Sequence, residues 1–175
     1  HGLGFCVFND LAYTAKNLIA EGHVEKVLIL DLDVHQGDGT IDICQGDPQI
    51  FTCSIHSESN FPFEKKQGWM DIGLPAGTKD EAYLAILSET LQSIERSLIP
   101  DLVLFDAGID VYLGDGLGNL ELSIEGIRKR DRLVLEHYRG KNIPVATVIG
   151  GGYSKDTQEL AHRHGLIFES AIHYL

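Results

Sequence analysis

The sequence predicts an α/β domain built on an open, mainly parallel β-sheet with helices on both faces. Two observations predict this fold class: four short apolar runs lack polar alternation, and helical patterns lie between most of them. Apolar runs rich in β-branched residues are typical of strands that are covered on both faces. Strands that alternate with helices indicate an α/β sheet. A chain of 175 residues fits one domain, so we expect a single three-layer unit over residues 1–175.

The predicted elements begin with a helix. Apolar runs predict four strands, at residues 26–30 (KVLIL), 50–55 (IFTCSI), 102–105 (LVLF) and 144–149 (PVATVI). Amphipathic patterns predict four helices, at residues 10–22, 78–98, 123–140 and 154–165. Thr78 and Glu81 have the spacing of a capping box, and Ser123 and Ser154 are expected to be N-caps. Gly140 is expected to end the third helix.

Charge and cysteine content narrow the function classes. Lys and Arg total 14 against 26 Asp and Glu, so the formal net charge is -12. Such a surface argues against binding to nucleic acid, which needs clustered cations. No apolar run approaches the ~18 residues of a membrane span, and no signal peptide is visible. Three cysteines without a C-x-x-C pair argue against a disulfide framework and predict a reducing, cytoplasmic location. Oligomeric state is not predicted.

Polar residues that follow the predicted strands are the candidate functional residues. They are Asp31, Asp33, His35 and Asp38 after the first strand, Asp106 and Asp110 after the third, and Tyr153 after the fourth. The carboxyl ends of parallel strands lie at one edge of a sheet, where open α/β sheets bind their ligands. We therefore expect these side chains, distant in sequence, to converge at one site.

Asp33, His35 and Asp110 form a candidate metal-binding group. In an extended backbone the side chains at i and i+2 point the same way, so Asp33 and His35 can reach one ion. Two carboxylates and one imidazole suit a catalytic Zn²⁺ with an open position, and Fe²⁺ or Mn²⁺ would accept the same donors. The hydroxyl of Tyr153 could donate to an oxyanion. A polar turn that caps a strand would have the same local pattern.

Five motifs occur in order along the chain: GFCVFND (4–10), LILDLDVHQGDGT (28–40), TCSIH (52–56), AGIDVYLGDGLG (107–118) and GGGY (150–153). Together they resemble the zinc-dependent histone deacetylase superfamily over nearly the whole chain. Gln36 and the segment 123–137 are most similar to its class IV-like and bacterial branch. The resemblance implies the arginase/deacetylase fold. It also implies removal of an acetyl or other acyl group from a lysine of a peptide or from a similar small amine.

The resemblance implies roles for individual residues as well. The implied zinc ligands are Asp33, His35 and Asp110. Tyr153 is the implied donor to the tetrahedral oxyanion. The implied carboxylates that orient a pair of catalytic histidines are Asp31 and Asp38. A structural potassium site is implied at Asp31, Ser54 and Ile55 with the main-chain oxygens of Asp33 and His35. The implied wall of the acyl-lysine tunnel is Gly4, Phe5, Phe61 and Leu117.

One part of the family pattern is missing from the chain. The tandem histidines of the family lie just upstream of the GFC motif, and this chain starts three residues before Gly4. The resemblance therefore predicts an N-terminally truncated deacetylase domain that lacks the histidine pair and further sheet and helix elements. Whether such a piece is active by itself is left open.

Two other interpretations stay open from the residues. The apolar strand followed by D-x-D also resembles a Mg²⁺-dependent phosphohydrolase of the haloacid-dehalogenase type. In that case Asp31 would be the nucleophile and Asp33 the acid/base, but that family carries Thr or Val at the place of His35. It also needs a lysine at another strand end, and the sequence offers no convincing one. The third interpretation is a metal-binding module that is not catalytic.

Overall fold

The computed structural model describes residues 4–174. The strands are β1 (Val27–Asp31), β2 (Ile50–Ser57), β3 (Met70–Leu74), β4 (Leu102–Asp106) and β5 (Val145–Val148). The helices are α1 (Asp10–Ala20), α2 (Asp38–Cys44), α3 (Asp80–Ser97), α4 (Ile124–Arg139) and α5 (Thr157–Ala171), with a 3-10 turn at Ile172–Tyr174. The strands pair in the order β3-β2-β1-β4-β5, and each of these pairings is parallel. The predicted open parallel sheet is confirmed.

Helices cover both faces of the sheet because alternate strand residues point to opposite sides. Leu28 and Leu30 of β1 join the larger core, which packs under α3, α4 and α5. Val27 and Ile29 join a smaller core that packs under α1 and α2. The three-layer arrangement of the prediction is therefore confirmed. No helix between residues 4 and 174 is long and apolar enough to cross a bilayer.

Two elements were not predicted. The strand β3 lies inside the segment 56–78, which the sequence analysis leaves without an element. It is an edge strand that contains Gly73 and pairs only with β2, so it lacks the apolar run of a buried strand. The helix α2 has seven residues, which is too short for a helical period to be visible.

The predicted helix caps are correct at some ends and wrong at others. Ser123 accepts a hydrogen bond from the amide of Gly126, as expected of an N-cap. The capping box at Thr78 is wrong, because the Thr78 hydroxyl donates to the carbonyl of Pro75 instead. Ser154 is not a cap either, since the N-cap of α5 is Asp156.

A buried arginine on α4 joins the ends of the two central strands. Arg130 is fully buried and donates hydrogen bonds to the carbonyls of Leu32, Ala107 and Gly108. These carbonyls directly follow β1 and β4, where the backbone leaves the sheet ladder and loses its regular partners. The charge of Arg130 is balanced by Asp131, whose carboxylate lies 2.8 Å from the guanidinium. Arg130 therefore holds together the edge at which the candidate residues lie.

We predict that Arg130→Met strongly destabilises the protein. The change leaves three buried carbonyls without their donor and the Asp131 carboxylate without its counter-charge. Losing one partner of a buried pair costs about 3 to 5 kcal/mol. Urea unfolding of the full-length protein measures the change. The control Arg132→Met removes an exposed arginine of the same helix and should leave the midpoint almost unchanged; equal midpoints for the two variants would contradict the role given to Arg130.

Candidate metal centre

Asp33, His35 and Asp110 converge at the carboxyl edge of the sheet. The imidazole Nδ1 of His35 lies 3.2 Å from Asp110 Oδ2 and 3.7 Å from Asp33 Oδ1. One ligand atom from each residue lies within 4.8 Å of the other two. They meet because β1 and β4 are neighbours in the sheet and end side by side. The predicted convergence is therefore observed for these three residues.

The local backbone differs from the predicted extended segment. The strand β1 ends at Asp31, and the residues up to His35 form bends. The amide of His35 donates a 2.6 Å hydrogen bond to Asp33 Oδ1, which closes a tight turn. The turn, rather than the alternation of a strand, therefore brings the Asp33 and His35 side chains together.

The donor set fits a metal ion. Asp110 is fully buried, and its Oδ1 accepts a 2.8 Å hydrogen bond from the amide of Val34. Its Oδ2 forms no well-aligned hydrogen bond with any described residue, although His35 Nδ1 is near. A buried carboxylate oxygen without a donor is costly unless a cation binds it. Two carboxylates and one imidazole within 4.8 Å are a suitable set for Zn²⁺.

Four residues at this edge have raised pKa values. Burial, with the neighbouring Asp110 carboxylate, raises the pKa of Asp33 to about 6. Burial alone would lower the pKa of His35, but its contacts with Asp110 and Asp33 outweigh burial and raise it to about 10. Burial and the other carboxylates also raise the pKa of Asp31 and of Asp106 well above the usual range. The edge is therefore a place where a cation is strongly favoured.

A second group of carboxylates lies behind the first. It consists of Asp31, Asp33 and Asp106, whose oxygens lie within 4.8 Å of one another. Asp31 and Asp106 are paired in the register of β1 and β4. Asp31 Oδ1 accepts a hydrogen bond from the Asp33 amide, and Asp106 Oδ1 accepts one from the Gly108 amide. Sequence reasoning placed Asp106 at a strand end but gave it no role; the aligned register brings it beside Asp31.

Other residues with implied roles lie near this edge. Ser54 is paired with Asp31 in the sheet, and its hydroxyl lies 3.0 Å from His56 Nδ1. The neighbouring Ile55 is buried in the larger core. Asp38 begins α2, and no hydrogen bond joins its side chain to another residue of the described chain. The potassium site and the orienting role of Asp38 stay predictions.

Glycines allow two loops to approach the carboxylates. A Cβ at Gly151 would collide with Asp110 Oδ2, and a Cβ at Gly108 would collide with the Cβ of Asp33. Any side chain at either position would push the loop away from the carboxylates. The glycines of the GGGY and AGID motifs therefore bring the loop that carries Tyr153 next to the Asp33 and Asp110 side chains.

Tyr153 lies beside this site. Its ring packs 5.9 Å from the ring of Phe5, measured between centroids. Burial, followed by the negative charges of Asp110 and Asp33, raises the pKa of the Tyr153 hydroxyl. The hydroxyl therefore stays protonated at neutral pH and can donate a hydrogen bond.

The other implied wall residues lie on neighbouring loops. Gly4 and Phe5 have positive φ angles, and the Phe5 side chain is largely exposed. Leu117 is also exposed, and its carbonyl accepts a 2.9 Å hydrogen bond from the side chain of Asn60. Asn60 Oδ1 also accepts from the amide of Phe61, so one side chain connects the loops of Phe61 and Leu117.

Two histidines pack near this edge, and one alternative function can be compared with the structure. His56 is buried and its Nδ1 lies 3.0 Å from the Ser54 hydroxyl, which is typical of a structural histidine. His164 is half-buried and its ring faces Gly152, because α5 packs against the GGGY loop. The phosphohydrolase interpretation needs a lysine at the site. The lysine ion pairs within residues 4–174 involve carboxylates other than Asp31 and Asp33.

Comparison with known proteins assigns the chain to a family. Residues 1–166 match the histone deacetylase domain. The chain belongs to the histone deacetylase family. It is 46% identical over 171 residues to an uncharacterized protein of Picosynechococcus, covering 98% of this chain and 57% of that protein. It is 34% identical over 176 residues to histone deacetylase 2 of Arabidopsis thaliana, covering 95% of this chain and 46% of that enzyme.

A solved structure of the deacetylase family shows the same fold. The crystal structure of an HDAC homolog from Aquifex aeolicus has a TM-score of 0.85 and 30% identity, over 98% of this chain and 48% of that chain. The parallel sheet flanked by helices is therefore the arginase/deacetylase fold that the resemblance implied. The chain spans about half the length of the relatives it matches.

We predict that the chelator-treated protein becomes less stable as pH rises. A group whose pKa is higher in the folded state binds extra protons there, so stability falls as pH rises from its unfolded to its folded pKa. That window runs from 3.8 to about 6 for Asp33 and from 6.5 to about 10 for His35. The urea midpoint should therefore fall between about pH 7 and about pH 9. In His35→Gln this fall should be much smaller; an equal fall would show that His35 is not its source.

Proposed function

We propose that the protein is a zinc-dependent deacylase that hydrolyses the amide of an acylated lysine. The observation that carries this proposal is the convergence of Asp33, His35 and Asp110 beside the loop of Tyr153. Membership of the histone deacetylase family supports the same chemistry. The proposal concerns the full-length protein.

Asp33, His35 and Asp110 are the proposed zinc ligands. The unsatisfied Oδ2 of Asp110 and the raised pKa values of Asp33 and His35 support this assignment. A bound Zn²⁺ would supply a Lewis acid for the amide carbonyl and lower the pKa of a bound water. Fe²⁺ is a second candidate, because the same oxygen and nitrogen donors accept it.

Tyr153 is the proposed donor to the oxyanion that forms when the amide carbonyl is attacked. Its raised pKa keeps the proton on the hydroxyl, so the group can donate throughout neutral pH. Its ring is partly buried against Phe5, which limits the directions that the hydroxyl can take. Donors that are already oriented toward developing negative charge are among the strongest contributions to catalysis.

The proton acceptor for the attacking water is proposed to be the histidine pair of the family, upstream of the GFC motif. Asp31 and Asp38 are proposed to orient that pair. The high pKa of Asp31, which results first from burial, suits a carboxyl that shares a proton with an imidazole. We also propose a structural potassium ion near Asp31, Ser54 and Ile55, where the register of β1 and β2 places these residues together.

The proposed substrate is an acylated lysine of a peptide or a similar acylated small amine. The exposed side chains of Phe5 and Leu117 and the half-buried ring of Phe61, with Gly4, would border the acyl-lysine chain. A net charge of -12 favours a cationic peptide around the acylated residue. The same charge argues against a nucleic-acid partner.

We predict that Tyr153→Phe loses most turnover and keeps its metal. Removing a single oxyanion donor typically lowers kcat by about 10² to 10³. The measurement is kcat of the full-length protein on an acetyl-lysine peptide, with metal content from mass spectrometry. A wild-type kcat in this variant would remove Tyr153 from the mechanism.

We also predict that Asp33→Ala and Asp110→Ala no longer retain zinc after dialysis. Each change removes one of three protein donors, and two donors hold Zn²⁺ far more weakly. Asp101→Ala is the control, because Asp101 binds the amides of Glu25 and Lys26 beyond the opposite end of the strands. One zinc per chain in either site variant would refute the ligand assignment.

A further inference from the structure

We propose that Asp115 is a positioning residue that holds Tyr153 in place for catalysis. The inference rests on the proposed function, since it assumes that Tyr153 is the oxyanion donor. Asp115 belongs to the AGIDVYLGDGLG motif, but the family resemblance implies no role for it. It is almost completely buried, and its carboxylate connects the loop after β4 with the loop after β5.

The two carboxylate oxygens of Asp115 bind different loops. Oδ1 accepts hydrogen bonds from the amides of Leu117 (2.9 Å) and Gly118 (3.0 Å) in its own loop. Oδ2 accepts a 2.7 Å hydrogen bond from the amide of Tyr153, which lies 38 residues away. The short distance is typical of a bond to a charged acceptor. One side chain therefore sets the separation between Leu117, a proposed wall residue, and Tyr153.

Hydrogen bonds hold both the amide and the carbonyl of Tyr153. Its amide donates to Asp115, and its carbonyl accepts a 3.3 Å hydrogen bond from the amide of Gly116. A residue bonded at its amide and at its carbonyl cannot easily rotate about its own backbone. Gly150 to Gly152 precede it and bring no side chains, so these two bonds, with the bond from the Ile109 amide to the Gly151 carbonyl, fix the backbone from which the ring projects.

A buried arginine compensates the charge of Asp115. Arg163 of α5 is buried, and its Nη1 lies 3.7 Å from Asp115 Oδ2. The guanidinium stacks 4.7 Å above the ring of Tyr112. Its Nε and Nη1 form no hydrogen bond with the described residues, so Arg163 acts on Asp115 through charge. Arg163 therefore places a positive charge beside the carboxylate that accepts from all three amides.

A role as a simple loop cap is the competing explanation. A cap would need only the bonds to Leu117 and Gly118, which lie within the same turn. The hydrogen bond to the Tyr153 amide is not needed for a loop cap, because it joins residues 38 positions apart. It also holds the residue that is proposed to donate to the oxyanion. The two explanations predict different effects of Asp115→Asn on kcat in a protein whose Tyr153 has already lost its hydroxyl.

The test is a double-mutant cycle of Asp115→Asn and Tyr153→Phe in the full-length protein. The amide of Asn has the shape of the carboxylate, but its NH₂ group must face either the Tyr153 amide or the Leu117 and Gly118 amides. A displacement of about 1 Å at a catalytic group can cost on the order of 10² in rate. We expect Asp115→Asn to lower kcat at least about ten-fold, with zinc content unchanged. The double variant should be no slower than Tyr153→Phe alone.

Hydrogen exchange supplies a readout that does not depend on activity. Asp115→Asn should speed exchange in the peptide that contains Tyr153, because the Asn orientation that keeps the two bonds to Leu117 and Gly118 turns its NH₂ group toward the Tyr153 amide. The matched control Asp101→Asn changes another carboxylate that binds two backbone amides, but beyond the amino ends of β1 and β4. It should leave both kcat and the exchange of the Tyr153 peptide unchanged.

Three results would overturn the inference. The first is unchanged exchange of the Tyr153 peptide in Asp115→Asn. The second is a double variant whose kcat is lower than that of Tyr153→Phe by the same factor by which Asp115→Asn lowers kcat in the wild-type protein. A purely structural role of Asp115 would give this result. The third is full activity in Tyr153→Phe, which would refute both the proposed role of Tyr153 as oxyanion donor and the positioning role of Asp115. Either of the first two results would refute the positioning role alone.

Discussion

The concentration of negative charge at the ends of β1 and β4 is the constraint on which the rest of this structure depends. Asp31 ends β1 and Asp33 follows it, while Asp106 ends β4 and Asp110 lies in the loop beyond. Burial removes hydration while each carboxylate repels the others, so the group needs protons or cations close by. The turn at Asp33 brings His35 into the group, and the orphaned oxygen of Asp110 completes a place for a metal. The charge that makes burial of this edge costly would also favour a cation bound there.

Two buried arginines stabilise this edge from the same side of the sheet. Arg130 of α4 binds the carbonyls that follow β1 and β4, and Arg163 of α5 lies against Asp115 in the loop beyond β4. The first arginine fixes the strand ends that carry the proposed ligands. The second supports the carboxylate that binds the Tyr153 loop. The helices α4 and α5 therefore have a second role besides covering the sheet. Each places one buried positive charge beside the loops that follow the strands.

The predictions succeeded where the relevant signal is local. The strands β1, β2, β4 and β5 are apolar runs, and their order with the helices indicates a parallel sheet whose carboxyl ends hold the site. The edge strand β3 was missed because a strand covered on one side needs no continuous apolar run. Ser154 has the chemistry of a cap, but Asp156 is the residue that reaches two free amides. The turn at Asp33 has the sequence pattern of an extended strand, because alternating polar residues occur in both.

The fold class and the candidate metal-binding residues follow from the sequence alone, because apolar runs and the polar residues that follow them are properties of short segments. Contacts between residues distant in sequence depend instead on how the elements pack. Arg130 binds a carbonyl 98 residues away, and Asp115 binds an amide 38 residues away. Neither contact has a sequence pattern, because any buried arginine or aspartate satisfies whichever backbone groups the fold brings to it. The strand register and the packing of α4 and α5 determine which backbone groups Arg130 and Asp115 contact.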